Sequence, residues 1–322
     1  MQRRTLLAGP LAASLALPSI GRAQGAWPER PVRIVVPFPP GGSNDTVARI
    51  IQPRLQELLG RPIVVDNRAG ASGSVGSTET ARAAPDGYTW LLANDTLATN
   101  DTLMPLPYRA GDFSACSVLG TCPYALTVHP GLPYRTMAEV IAAAKDRPDA
   151  LNYATTGVGS LAHIAAVLLQ QRGDFRLTHV PYRGGGPALQ DALAGHVPLF
   201  MSNIVIILPH IRAGALRPVG VSTLADSGYL PGVAPFARQG FAGFEALTYW
   251  VLVGPPQVPA PIVARMQQAL AQVLADPVVR TRMADQGANI VASPPAQAEA
   301  FLRAEVEKWG RVIRDNNIRA DS

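Results

Sequence analysis

Residues 32–50, VRIVVPFPPGGSNDTVARI, constrain this chain more than any other segment. The β-branched run Val32, Ile34, Val35 and Val36 reads as a buried strand. PFPPGG lets neither helix nor strand continue across it. Ser43-Asn44-Asp45 then brings N-cap chemistry ahead of the apolar period Val47, Ile50 and Ile51. Strand, glycine turn and helix start are packed close together, so free backbone N–H groups and the positive end of a helix dipole aim at one point. Such a point suits an anion. An ordinary βα turn has the same local sequence, so the rest of the chain decides between the two.

The same grammar recurs downstream. A helix over 45–59, a strand at 63–66, a glycine-rich loop at 70–76, a short helix near 77–83 and a strand at 89–93 spell βαβαβ, which predicts a parallel sheet. A second block begins near Tyr124. Thr136 and Glu139 form a capping box for the helix from Met137, strands are expected at 151–154, 177–180 and 199–201, and helices follow each of them. Around 225–241 the pattern breaks into Gly/Pro-rich segments. A strand at 249–253, helices at 261–275 and 277–285, a strand at 289–292 and a helix over 295–316 complete the chain. One αβ block inserted within another predicts a hinged two-lobe protein.

At 322 residues two lobes are the natural division, and 48% hydrophobic with 16% charged residues describes a globular chain. Residues 1–23 are set apart as an export signal: Arg3-Arg4, an apolar stretch over 6–17, and Gly21-Arg22-Ala23 as the cleavage site, giving a mature start at Gln24. Sec and twin-arginine routes both fit. Without Arg3, Arg4 and Arg22, 25 basic residues face 23 acidic ones, a net charge of +2. No basic cluster argues for nucleic acid, and no later segment reaches the roughly 18 apolar residues of a membrane helix. Cys116 and Cys122 lie six residues apart. In an extended strand they would sit roughly 20 Å apart, beyond bridging, unless Gly120 bends the chain, so a disulfide and a packed thiol pair both stay open.

Three glycine loops, 38–45, 155–160 and 182–187, fall where strands end and helices begin, which is where open α/β sheets bind ligands. Their disposition over two blocks predicts a cleft between lobes. Catalytic candidates are sparse. Ser160 and His163 are one helical turn apart, so a nucleophile–base pair with Asp191 or Asp45 as orienter defines a secreted-hydrolase alternative. There is no G-x-S-x-G elbow, and the five histidines show no metal spacing. No cofactor or metal is expected. Asn94-Asp-Thr and Asn100-Asp-Thr match the glycosylation sequon, a coincidence behind a bacterial export signal.

Five ordered motifs carry a resemblance: WPERP at 27–31, PFPPGGSND at 37–45, VDNRAG at 65–70, APDGYT at 84–89 and HVPYRG at 179–184. Together they resemble the Bug family of extracytoplasmic solute receptors, related to the binding component of tripartite tricarboxylate transporters. The resemblance implies a type II periplasmic-binding-protein fold, α/β, with two open sheets flanked by helices, a hinge and an inter-lobe ligand cleft. Lobe 1 is expected to comprise 27–122 plus 245–322, lobe 2 residues 123–224, and the hinge 225–244. A periplasmic monomer that captures a small carboxylate, without chemistry, for the membrane subunits of a transporter is implied. A receptor feeding a signalling partner is the alternative.

The ligand-binding residues implied are Phe38, Gly41, Gly42, Ser43, Asn44 and Asp45 in the first loop, and Thr156, Gly157, Gly159, Ser160 and His163 in the second. Tyr182, Gly184 and Gly185 belong to the third loop, with Ser202 and Asn203 after the strand at 199–201. The family commonly places an acid where Ser202 stands. Its absence predicts a ligand without an ammonium group, since a buried cation needs an anionic partner.

Overall fold

The structure, a computed structural model, describes residues 27–319. The expected signal, residues 1–23, lies outside them. The first part runs β1 (Val32–Val36), α1 (Ser43–Leu59), β2 (Ile63–Asn67), α2 (Ser74–Ala81), β3 (Thr89–Ala93), α3 (Thr96–Leu103) and β4 (Ser114–Val128). Then come α4 (Met137–Asp146), β5 (Asn152–Thr155), α5 (Leu161–Gly173), β6 (Thr178–Pro181), α6 (Gly185–Leu193), β7 (Leu199–Asn203), α7 (Ile204–Arg212) and β8 (Arg217–Val221). The chain closes with β9 (Leu247–Gly254), α8 (Ala260–Ala275), α9 (Pro277–Asp285), β10 (Asn289–Ile290) and α10 (Pro295–Asp315). The βα alternation matches its sequence pattern. Helix α3 and strand β8 carry no such pattern and are additions to it.

Strand β4 decides the architecture. It is fifteen residues long. Its first part pairs antiparallel with β9, and from Tyr124 onward it pairs with β7 and β8. The first lobe's sheet is β2-β1-β3-β9 and the start of β4; the second is the end of β4 with β7-β5-β6, and β8 beside it. The two expected sheets are therefore one ten-stranded sheet joined through β4. Twist accumulating along so long a strand lets its two halves serve different layers. Within the lobes β1 is parallel to β2 and β3, and β5 is parallel to β6 and β7.

Both faces of β1 are covered. Val32, Ile34 and Val36 share a core with Ile51 and Leu55 of α1 and Met266 and Leu270 of α8, whereas Val35 joins Leu91, Val251 and Leu302 on the other face. A strand buried on both sides reads as an unbroken apolar run, which explains the lack of alternation there. Cys116 and Cys122 belong to the first of these cores as free thiols. Burial raises both, Cys122 to about 12, so neither is a reactive thiolate.

The chain passes between lobes at one knot. Ser222 N–H donates to the Tyr124 carbonyl at 2.9 Å, Tyr124 N–H donates to Ser222 Oγ at 2.8 Å, and Ala246 N–H donates to the Ser222 carbonyl at 3.1 Å. Ser222 Oγ in turn donates to the Ala246 carbonyl. The segment 225–244, expected as the crossover, is the loop that leaves this knot after Ser222 and returns to it at Ala246. Phe236, Phe241 and Phe244 pack beside Val219 and Leu199 in the second lobe's core. The same segment also reaches the first lobe, where the Tyr229 hydroxyl donates to the Ala288 carbonyl at 3.3 Å and to Asn289 Oδ1 at 3.0 Å. Helix α10 reaches the second lobe's core through Trp309 and Ile313, so the C-terminal helix touches both lobes.

Candidate ligand-binding cleft

Three helices start at one place between the lobes. Ser43 and Asn44 open α1, Gly185 opens α6, and Asn203 precedes the first residue of α7; all four line a single recess together with Asn94, Tyr124 and Thr156. The first N–H groups of a helix have no partner within it, so the recess is a convergence of donors and of positive dipole ends. Its volume is about 10 Å³, close to that of one water. Phe38 and Thr156 also line an outer chamber of about 540 Å³, walled by residues 69–73, Met104, Val158, Pro181, Tyr182 and Arg183. That volume suits a small organic ligand.

The expected cap triad does something else. Gly42 holds the N-cap position of α1 without a side-chain hydrogen bond, and Ser43, Asn44 and Asp45 are its first three helical residues. Ser43 Oγ accepts from Asn203 Nδ2 across the lobes at 3.1 Å, and Asn44 Nδ2 donates to the Leu92 carbonyl at 2.8 Å. Asn44 Oδ1, Asn203 Oδ1 and Ser202 Oγ are buried and have no partner among the described residues. Asp45 faces its own loop: it accepts from Gly41 N–H at 3.1 Å, Asn67 Nδ2 at 3.1 Å and Arg49 Nε at 2.9 Å. Burial alone would raise this carboxyl, but those hydrogen bonds outweigh it and hold Asp45 below the usual carboxylate range. Asp45 shapes the PPGG turn and lines neither cavity.

The loop after β5 divides in two. Thr156, Gly157 and Val158 face the chamber. Gly159, Ser160 and His163 support it from behind. Ser160 caps α5, its Oγ accepting from His163 N–H at 3.3 Å and donating to the Gly157 carbonyl at 2.7 Å. His163 Nδ1 accepts from Gly159 N–H at 3.3 Å, and its ring stacks on His179 at 4.2 Å. The nucleophile–base pair is thus not assembled, because the Ser160 proton serves the loop, and Asp45 and Asp191 bond elsewhere. Ser160→Ala is expected to cost about 1 kcal/mol through the lost cap, seen as a lower Tm, and to weaken ligand only through loop order.

The third loop meets the first. Gly184 has φ +124°, open to glycine and strained for other residues, and a Cβ there would come within 2.8 Å of Pro39. A Cβ on Gly186 would come within 2.9 Å of the Pro40 carbonyl oxygen. Prolines of one lobe and glycines of the other therefore close the mouth. Tyr182 donates its hydroxyl to Asp191 Oδ2 at 2.6 Å. Burial and then that bond push the phenol up to about 12, and the same bond holds Asp191 below the usual range.

A further seam, centred on a buried aspartate, crosses the fold beside the cleft. Asp95, 1% exposed, accepts from Thr248 Oγ1 at 2.6 Å, Leu161 N–H at 3.0 Å and the Tyr124 hydroxyl at 3.1 Å. It so joins the end of β3 to both halves of the fold. Thr99 Oγ1 donates to the Gly159 carbonyl at 2.8 Å and Ser72 Oγ to the Val158 carbonyl at 2.5 Å. The signal lies in the two Asn-Asp-Thr triplets. Asn94 Oδ1 accepts from Thr96 N–H and Oγ1, an Asx turn opening α3.

The chain matches the family model of the tripartite tricarboxylate transporter family receptor over residues 47–318. It belongs to that family. Protein BugT of Bordetella pertussis is 35% identical over 297 residues, 91% of each chain. Among solved structures, periplasmic binding protein BugD superposes with a TM-score of 0.88 at 29% identity, covering 91% of this chain and 99% of that one. An R. palustris protein solved with adipate gives 0.87 at 31% identity, covering 91% and 99%. The two-lobe periplasmic-binding-protein fold is the fold of this chain, and the family's receptors are periplasmic. Among the described residues no helix is long and apolar enough to cross a membrane.

Proposed function

We propose that this receptor captures a small organic carboxylate between its lobes in the periplasm, after removal of residues 1–23, and hands it unchanged to the membrane subunits of a tripartite transporter. The observation that carries the reading is the convergence of the α1, α6 and α7 N-termini on one recess that, among the described residues, no Asp or Glu lines. In that recess a carboxylate accepts from N–H groups that otherwise lack partners. The 540 Å³ chamber takes the rest of the molecule, with Arg183 as the only charged lining residue among those described. A protonated amine finds no anion there, since Asp45 is committed to Gly41, Asn67 and Arg49.

Two measurements test this. Titration calorimetry with succinate against aspartate, and glutarate against glutamate, is expected to favour the unaminated acid in each pair; preference for the amino acid in both would overturn the reading. Gly42→Val separates fold from site. A Cβ at Gly42 meets only the Pro39 carbonyl oxygen, at 3.5 Å, an ordinary contact, so the variant is expected to fold while adding bulk to a residue that lines the recess. Wild-type affinity in folded Gly42→Val would remove the recess from the site.

A further inference from the structure

Carboxylate capture leaves a chain of three side chains behind the mouth of the cleft unused. Tyr182, at the end of β6, donates its hydroxyl to Asp191 Oδ2 on α6 at 2.6 Å, and Asp191 Oδ1 lies 3.3 Å from His196 Nδ1. Tyr182 lines the outer chamber; Asp191 does not. The phenol hydroxyl is thereby committed to α6, while Tyr182 itself lines the ligand space.

The loop beyond Tyr182 cannot hold that ring by itself. Gly184, Gly185 and Gly186 carry no side chains that could anchor it, and Gly184 uses a conformation only glycine adopts readily. Tyr182 is fixed instead by two bonds, its N–H to the Thr155 carbonyl at 3.2 Å and its hydroxyl to Asp191. With the hydroxyl drawn away, the chamber wall formed by Phe38, Pro39, Met104, Val158 and the Tyr182 ring is largely apolar. Asp191 accepts from the phenol and lies 3.3 Å from His196 Nδ1, and it does not line the chamber.

We propose that Asp191 is a positioning residue for ligand choice: by holding Tyr182 it keeps the chamber wall apolar and selects carboxylates with an extended hydrocarbon body over short ones. The inference rests on the carboxylate reading. The recess has room for little more than a carboxylate oxygen, so the body of any diacid lies in the chamber; a longer body covers more of the wall that includes Tyr182 than a short one does.

Calorimetry with adipate and succinate decides it. Asp191→Leu is expected to weaken adipate about tenfold and succinate less than about threefold. Asp191→Asn keeps an acceptor for the phenol and is expected to restore most of the adipate affinity. Tyr182→Phe should match Asp191→Leu, and the double variant should lose no more than either. Equal losses for both ligands, or additive losses, would overturn the role of Asp191. A ligand-free readout stands apart from the carboxylate reading: nitration of Tyr182 by tetranitromethane, read by peptide mass spectrometry, requires phenolate and should run at least fivefold faster in folded Asp191→Leu. An unchanged nitration rate overturns the positioning. Accelerated nitration in a protein that binds neither acid would support the Tyr182–Asp191 coupling while defeating carboxylate capture.

Discussion

Asp95→Leu is expected to destabilise the protein by about 2–4 kcal/mol, lowering Tm by about 5–10 °C. Leucine fills similar space but leaves Leu161 N–H, Thr248 Oγ1 and the Tyr124 hydroxyl without their acceptor, all of them buried. A stranded buried donor costs about 1–3 kcal/mol. The hydroxyls can turn elsewhere, and removing a desolvated carboxylate returns part of the loss, so the net lies below the sum. The pH dependence has a definite sign. Burial raises the Asp95 carboxyl above its ordinary value, despite the hydrogen bonds that lower it. The folded state then binds the proton more tightly than the unfolded one, whose value is about 3.9. This group's contribution is full below that value and declines as pH rises through the folded one. The Tm gap between wild type and Asp95→Leu should therefore be wider at pH 4 than at pH 8. A gap that widens toward pH 8 would show that the carboxylate form is the stabilising one.

Gly186→Val is expected to fold normally and to lose ligand affinity by roughly 5- to 150-fold. A Cβ at this position meets the Pro40 carbonyl oxygen at 2.9 Å, a backbone atom on the other lobe that cannot swing away as a side chain can. Overpacking of this kind costs about 1–3 kcal/mol, and here it falls on the closed arrangement alone, because separating the lobes relieves it. Binding must then supply that extra closure energy. Small-angle scattering of the ligand-free variant should show a larger radius of gyration than wild type, and calorimetry should show the weaker binding. Unchanged radius and affinity together would mean that the mouth does not close along the proline–glycine seam.

Much of the cleft is legible in the sequence because its signals are local. A glycine turn between a β-branched run and an amphipathic helix says what the backbone must do there, and residues 38–45, 155–160 and 182–187 all lie where strands end. The departures have physical causes. Ser43-Asn44-Asp45 has the chemistry of a cap, yet Gly42 occupies the cap position, and the three side chains bond to Asn203, Leu92 and Gly41 instead. Ser160 and His163 suggest a substrate-facing pair because both carry reactive groups near a glycine loop. Ser160 Oγ accepts from His163 N–H, and His163 accepts from Gly159 N–H and stacks on His179. Residue type and spacing give a range of what a side chain can do; for Ser43 and Asn44 the partner comes from a distant segment, Asn203 and Leu92.

By itself the sequence determined the βα order, the chain positions of the glycine loops, the export signal as an expectation, and the family through five ordered motifs. Those are properties of short windows, where backbone propensity and apolar period act without distant help. Only the tertiary structure decided that β4 belongs to both lobes, that residues 225–244 touch both, Phe236, Phe241 and Phe244 in the second core and Tyr229 on Ala288 and Asn289, and that Asp95 and Ser222 tie the crossing point. Nothing local marks a strand whose partners change halfway along, because pairing is chosen by whichever edges the rest of the fold brings alongside. A buried aspartate is likewise invisible in one dimension: its place is tolerable only where Thr248, Leu161 and Tyr124 converge from three distant segments to hydrogen-bond it.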